Sequence, residues 1–136
     1  LSHLPIVQDT QLSYVLKPFY KPSYKSLTKK YADRIIRVKG SIKLCDGVHL
    51  ICHTGENLQE IGKKTGLYKK INGRLTPDNF DHEQSLVFET EKGLVIFNSC
   101  SHAGPENILR EVKSAFPKNS VYAYFGGLHL YRSSEK

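Results

Sequence analysis

Residues 84–105 read QSLVFETEKGLVIFNSCSHAGP, and this stretch decides the fold. Residues 85–90 and 94–98 are β-like runs on either side of Glu91-Lys92-Gly93, a hairpin signature. The run Leu94-Val95-Ile96-Phe97 is apolar at every position, as expected of a strand covered on both faces. Residues 99–104 form a loop of small residues. Pro105 suits the first turn of a helix, where a missing N–H costs nothing. Ile108, Leu109, Val112, Ala115 and Phe116 then recur at helical spacing, and Pro117 stops the helix.

Working outward, residues 121–125 are aromatic and β-branched, and predict a strand ended by Gly126-Gly127. Upstream, runs 41–45 and 48–53 flank Asp46-Gly47, a hairpin turn whose residues tolerate positive φ. Ile42, Leu44, Val48, Leu50 and Cys52 fall on one face of that hairpin. His49 and His53 fall on the other, which is expected to be solvated. Ile35, Ile36 and Val38 suggest a short strand ending at Gly40, and residues 55–77 read as a polar, basic excursion of loop with a short helix. Residues 4–32 are irregular in pattern, interrupted by Pro5, Pro18 and Pro22. Strands and helix interleave, so the class is α/β.

A length of 136 residues with 39% hydrophobic and 24% charged side chains fits one globular domain, residues 1–136, and not a disordered chain. No apolar run approaches the roughly 18 residues of a membrane helix, and no signal-peptide pattern opens the chain. The three cysteines, Cys45, Cys52 and Cys100, form no CxxC and make no disulfide framework; reduced thiols and a cytoplasmic location are expected. Lys+Arg number 20 against 13 Asp+Glu, a net charge of +7. Basic residues interleave with tyrosines over 14–39, which would suit a nucleic-acid backbone. No nucleic-acid module accompanies them, so a basic face that draws in a small anionic substrate is the preferred reading.

Candidate metal ligands recur just beyond predicted strand ends, where a rigid element holds a lone pair still. His102 follows the strand 94–98, His129 follows the strand 121–125, and His3 follows Leu1-Ser2. Gly126 and Gly127 would let backbone pass close to a bound ion or substrate. Cys100 is either a thiolate ligand or a small buried hydrophobe. His82, between Asp81 and Glu83, is undecided. There is no GxSxG elbow, no GxxxxGK[ST] phosphate loop and no GxGxxG, so a serine hydrolase, a P-loop enzyme and a dinucleotide fold are not indicated.

Four pieces together carry a resemblance: Asp81-His82-Glu83-Gln84-Ser85-Leu86-Val87, Glu91-Lys92-Gly93-Leu94-Val95-Ile96, Ser99-Cys100-Ser101-His102-Ala103-Gly104, and Gly126-Gly127-Leu128-His129-Leu130. Over roughly residues 54–130 the chain resembles the metal-dependent hydrolases of the metallo-β-lactamase fold, β-lactamase superfamily II. The resemblance implies a four-layer αβ/βα sandwich with a metal site along one edge. It implies a divalent centre, most often two zinc ions, with manganese or iron as alternatives. It carries His102, His129 and His3 over as metal ligands, and brings Glu83 close to the site as a catalytic candidate. The family's HxHxDH loop is typically preceded by Leu-Ser-His. Leu1-Ser2-His3 resembles that opening, but Leu4-Pro5-Ile6-Val7 does not continue it. The chain is therefore expected to be a fragment, or to lack intervening residues.

The activity implied is hydrolysis of an ester or phosphoester in a small anionic substrate by metal-activated hydroxide. Two other readings stand beside it: a non-catalytic remnant of the fold acting as a binding module, and a basic nucleic-acid-binding domain. Half of a sandwich would expose an apolar sheet face larger than monomers normally show, so a 136-residue protein is expected to pair with a second copy or with another chain, whereas a longer parent would need no such partner.

Overall fold

The computed structural model describes residues 29–128 and the backbone of residues 4–8. Strand β1 (Leu4–Gln8) lies parallel to β2 (Ile35–Val38) in a two-stranded sheet, so the stretch read as irregular contains a strand. Then follow β3 (Ile42–Cys45), β4 (Val48–Cys52), helix α1 (Leu58–Thr65), β5 (Tyr68–Ile71) and β6 (Arg74–Pro77). The chain continues with β7 (Gln84–Thr90), β8 (Gly93–Phe97), helix α2 (Pro105–Ala115) and β9 (Val121–Phe125).

The main sheet has the order β3-β4-β7-β8-β9. Its first four strands pair antiparallel, because each is joined to its neighbour by a turn or by an excursion that returns to the same edge. The last pair, β8 and β9, is parallel, with α2 as the crossover. Both expected hairpins form. Gly47 sits at φ 71°, as the Asp46-Gly47 turn requires. The excursion 55–77 is more ordered than expected. After α1 it makes the β5–β6 hairpin, whose two turn residues, Asn72 and Gly73, have φ of 48° and 83°. Two consecutive left-handed residues define a turn that matches strand twist, and Asn-Gly is the dipeptide that best tolerates it.

Helix α2 covers one face of the main sheet. Val112 packs there with Ile51, Val87, Leu94 and Ile96, flanked by Leu109, Phe116 and Tyr124. A second cluster of Leu58, Phe80, Ala103 and Ile108 ties α1 and the site loops to α2. Each fully buried side chain of this size contributes about 1.5–3 kcal/mol relative to exposure. Two expectations are corrected here. Leu94 and Ile96 are fully buried, but Phe97 is 42% exposed, so among the described residues the apolar run is covered on one face only. His49 and His53 do share a face, but it is the face toward α2. His53 is 1% exposed, and the His49 ring meets the Phe116 ring edge-on at 4.9 Å. Period-two alternation fixes which residues share a face, and the helix decides which face is covered.

Candidate functional site

Parallel pairing makes β8 and β9 leave the sheet at the same edge. Asn98 N–H donates to Phe125 O at 2.8 Å, and Gly127 N–H donates to Ser99 O at 2.7 Å. A Cβ on Gly126 would lie 2.8 Å from Asn98 O, and one on Gly127 would lie 3.1 Å from Ser99 O. These glycines therefore let two stretches of backbone run side by side.

The loop 99–103 that follows β8 carries His102. Ser101 is 2% exposed and has φ 55°, a left-handed conformation uncommon outside glycine. Its hydroxyl lies 2.7 Å from Tyr124 Oη and accepts from Asn98 Nδ2 at 3.3 Å. Glu83 holds the far side of the loop. Its Oε1 accepts from His102 N–H at 3.1 Å and its Oε2 from Ala103 N–H at 3.2 Å. Glu83, expected as a catalytic candidate, is 6% exposed and has both oxygens engaged by the backbone of the His102 loop.

Beneath His102 lies Phe80, 1% exposed and also left-handed, at φ 54°. The His102 ring stacks on it at 6.2 Å and 20°, and the His82 ring approaches it at 6.4 Å and 57°. A bulky residue at positive φ is strained, and it persists where its surroundings over-determine it. Asp78 supplies part of that hold by accepting from Phe80 N–H at 2.8 Å.

Asp78, Asp81 and His82 bring one donor atom each to within 4.8 Å of one another. Asp78 is 1% exposed, and its Oδ1 lies 3.6 Å from His82 Nδ1. Burial pushes the His82 imidazole below its usual range, although the charges of Asp78, Glu83 and Asp81 pull the other way. A neutral imidazole keeps the lone pair a metal requires. Nitrogen and carboxylate donors of this kind suit zinc, manganese or iron. Lys69 competes for one of them: its Nζ donates to Asp81 Oδ1 at 2.8 Å and to Asn79 Oδ1.

A buried polar chain runs behind the site. Glu111 on α2 accepts from Thr54 and Gly55 N–H at 2.7 Å each through Oε1, and its Oε2 lies 2.5 Å from His53 Nδ1. His53 Nε2 lies 3.3 Å from Ser85 Oγ, which donates to Asn98 Oδ1 at 3.4 Å. Asn98 then reaches Ser101. Although glutamate, histidine and serine stand in a row, Ser85 is fully buried, so no substrate can meet its hydroxyl.

His102 is thus placed at the strand edge, bonded to Glu83 through its backbone and sharing the Phe80 ring with His82, whereas His3 and His129 lie outside the described residues. Cys100 is exposed, which removes its reading as a small buried hydrophobe. The sequence reading did not single out Asp78, although the spacing Asp78-x-x-Asp81-His82 was a visible signal. It also missed the His53–Glu111 pair, whose partners are separated by 58 residues and share no local pattern.

A mixed sheet whose parallel strand pair leaves at one edge beside a pinned histidine is consistent with what the resemblance to the metallo-β-lactamase fold implies. Comparison with solved structures agrees: the chain is similar to Tm1679, a metal-dependent hydrolase of the β-lactamase superfamily, with a TM-score of 0.58 and 27% identity over 74% of this chain and 38% of that one. It is also 32% identical, over 124 residues, to the 7,8-dihydropterin-6-methyl-4-(beta-D-ribofuranosyl)-aminobenzene-5'-phosphate synthase of Methanocaldococcus jannaschii, covering 89% of this chain and 42% of the relative. The resemblance and fold class read from the sequence therefore hold. The chain spans less than half the length of either protein. No protein-family model matches it. Among the described residues no helix is long and apolar enough to cross a membrane.

Proposed function

We propose that the chain works in a metal-dependent hydrolase acting on an ester or phosphoester of a small anionic substrate. His102 serves as a ligand, with His3 and His129 as the further ligands that the resemblance implies. One observation carries this reading: the backbone of His102 is clamped by Glu83 at the edge where β8 and β9 both leave the sheet. A bound divalent ion lowers the pKa of its water to about 7 and polarises the scissile group. The chain's own residues hold and orient. Glu83 fixes the His102 backbone, Phe80 supports its ring, and burial favours the neutral form of His82, whose ring also approaches Phe80.

Substrate charge is matched by the basic elements α1 and β5–β6. Lys63, Lys64, Lys70 and Arg74 are exposed there, whereas Lys69 is buried and occupied with Asp81. We therefore assign the attraction of anions to the first four.

Metal analysis together with hydrolysis of p-nitrophenyl esters and phosphoesters tests the proposal. Bound zinc, manganese or iron, with turnover lost in His102→Ala, supports it. A chain that takes up no divalent metal under any loading condition would overturn it in favour of a non-catalytic binding module. For the substrate assignment, Lys63→Ala, Lys64→Ala, Lys70→Ala and Arg74→Ala combined should raise KM for anionic substrates and leave neutral ones unchanged.

A further inference from the structure

A buried hydrogen-bonded chain ends on the residue just before His102, and nothing in the proposed chemistry uses it. Its members come from five elements or their ends and one loop: Glu111 on α2, His53 after β4, Ser85 on β7, Asn98 after β8, Ser101 in the loop and Tyr124 on β9. His53 and Ser85 are fully enclosed, and Ser101 nearly so. Buried polar groups are retained only when hydrogen-bonded, and such networks, once satisfied, hold a single arrangement.

The chemistry of Asn98 decides what the chain can transmit. Its Oδ1 only accepts, here from Ser85, and its Nδ2 only donates, here to Ser101. A side-chain amide does not hand a proton onward, so the chain conveys position and not protons. Its end point is Ser101, whose left-handed backbone needs an external hold. That hold is threefold: Tyr124 and Asn98 on the hydroxyl, and Gly104 N–H donating to Ser101 O at 2.9 Å. Glu83 takes the next two amides. His102 is therefore bracketed, with the polar chain before it and Glu83 after it.

We propose that Tyr124, Asn98 and Ser101 are positioning residues for His102, anchored through Ser85 to the His53–Glu111 pair. This rests on the reading of His102 as a metal ligand. Tyr124→Phe is the sharpest variant, because it removes one hydroxyl and keeps the ring that packs against both core clusters. Ser101→Ala is the second variant. Leu94→Ala, at a fully buried core position at the other end of β8, is the control for general destabilisation.

Two measurements are made on the full chain: Co²⁺ titration followed by its visible absorption, and amide hydrogen exchange of residues 99–103 in metal-free protein. Loss of an outer-shell partner typically weakens metal binding about 10- to 100-fold. Tyr124→Phe and Ser101→Ala are expected to show that loss, with faster exchange confined to the His102 loop. Leu94→Ala should lower Tm while leaving Co²⁺ affinity and the relative exchange of the loop unchanged. Wild-type affinity together with wild-type loop exchange in both variants would overturn the proposal. If the wild-type chain binds no Co²⁺, the ligand reading has failed, and the exchange data alone then decide: a loop unchanged in Tyr124→Phe overturns the positioning role, and a loosened one upholds it.

Discussion

Both carboxylate oxygens of Glu83 are engaged by backbone amides, and this dictates what each substitution does. Glu83→Ala leaves the N–H groups of His102 and Ala103 without their acceptor, at about 1–3 kcal/mol per stranded donor. Glu83→Gln is no remedy, because its NH₂ would oppose one of the two amides while its single oxygen serves the other. Chemical denaturation should therefore rank wild type above Gln, and Gln above Ala. Equal stability of Gln and wild type would show that the clamp does not exist. The sequence brought Glu83 near the site only through the resemblance. Its two amide partners lie 19 and 20 residues away, across a hairpin and a loop, and no periodicity encodes such a contact. His82 shows the same limit: the sequence shows its acidic neighbours, but only packing reveals that burial outweighs them.

Among elements, the parts legible in the sequence were those with a local cause. Asp46-Gly47 announced its hairpin because two-residue turns need positive φ, and Pro105 and Pro117 bounded α2 because proline lacks an N–H. Asn72-Gly73 carried the same signal as Asp46-Gly47, but its flanking strands are basic and lack apolar alternation, so the stretch read as loop. Helix α1 offers a test of sign. Glycine inside an exposed helix normally costs about 0.5–1 kcal/mol relative to alanine. At Gly62 a Cβ would lie 2.2 Å from Asp78 O and 2.7 Å from Asp78 N, backbone atoms that cannot swing aside. Gly62→Ala should therefore destabilise, by about 1–3 kcal/mol as overpacking does, and the loss is read from thermal melts. Between α2 and β4 the tie is Glu111. Burial pushes its carboxyl up, but the hydrogen bond to His53 and the amides of Thr54 and Gly55 outweigh this and hold it below the ordinary range. A depressed carboxylate contributes stability above its unfolded value, about 4.3, and loses that contribution as pH falls through the folded value. Between pH 6 and 3 the Tm of the wild-type chain should fall more steeply than that of Glu111→Gln. Parallel pH profiles would remove this tie from the account.

Across the molecule, the described residues cover the two faces of the sheet unequally at β8 and β9. Strand alternation sets Leu86, Phe88, Val95 and Phe97 opposite α2, and cross-strand pairing adds Phe125 to them. Phe97 stacks on Phe125 at 4.9 Å and 15°, and meets Phe88 edge-on at 5.7 Å. Even so, Phe97 is 42% and Phe125 52% exposed. An aromatic surface of this kind attracts whatever apolar surface is available, including a second copy. The net charge of +7 opposes such pairing by repulsion between like molecules. The two forces respond oppositely to salt. Raising ionic strength shortens the screening length from about 10 Å at 0.1 M to about 3 Å at 1 M and weakens the repulsion, while apolar association is not screened. Sedimentation of the 136-residue chain should therefore show mass rising with concentration, and rising further with salt. Phe97→Ser combined with Phe125→Ser should abolish both trends and lower the binding of an apolar fluorescent dye. Association that weakens with salt, or that survives the double substitution, would mean that charged surfaces, and not this sheet face, bring the molecules together.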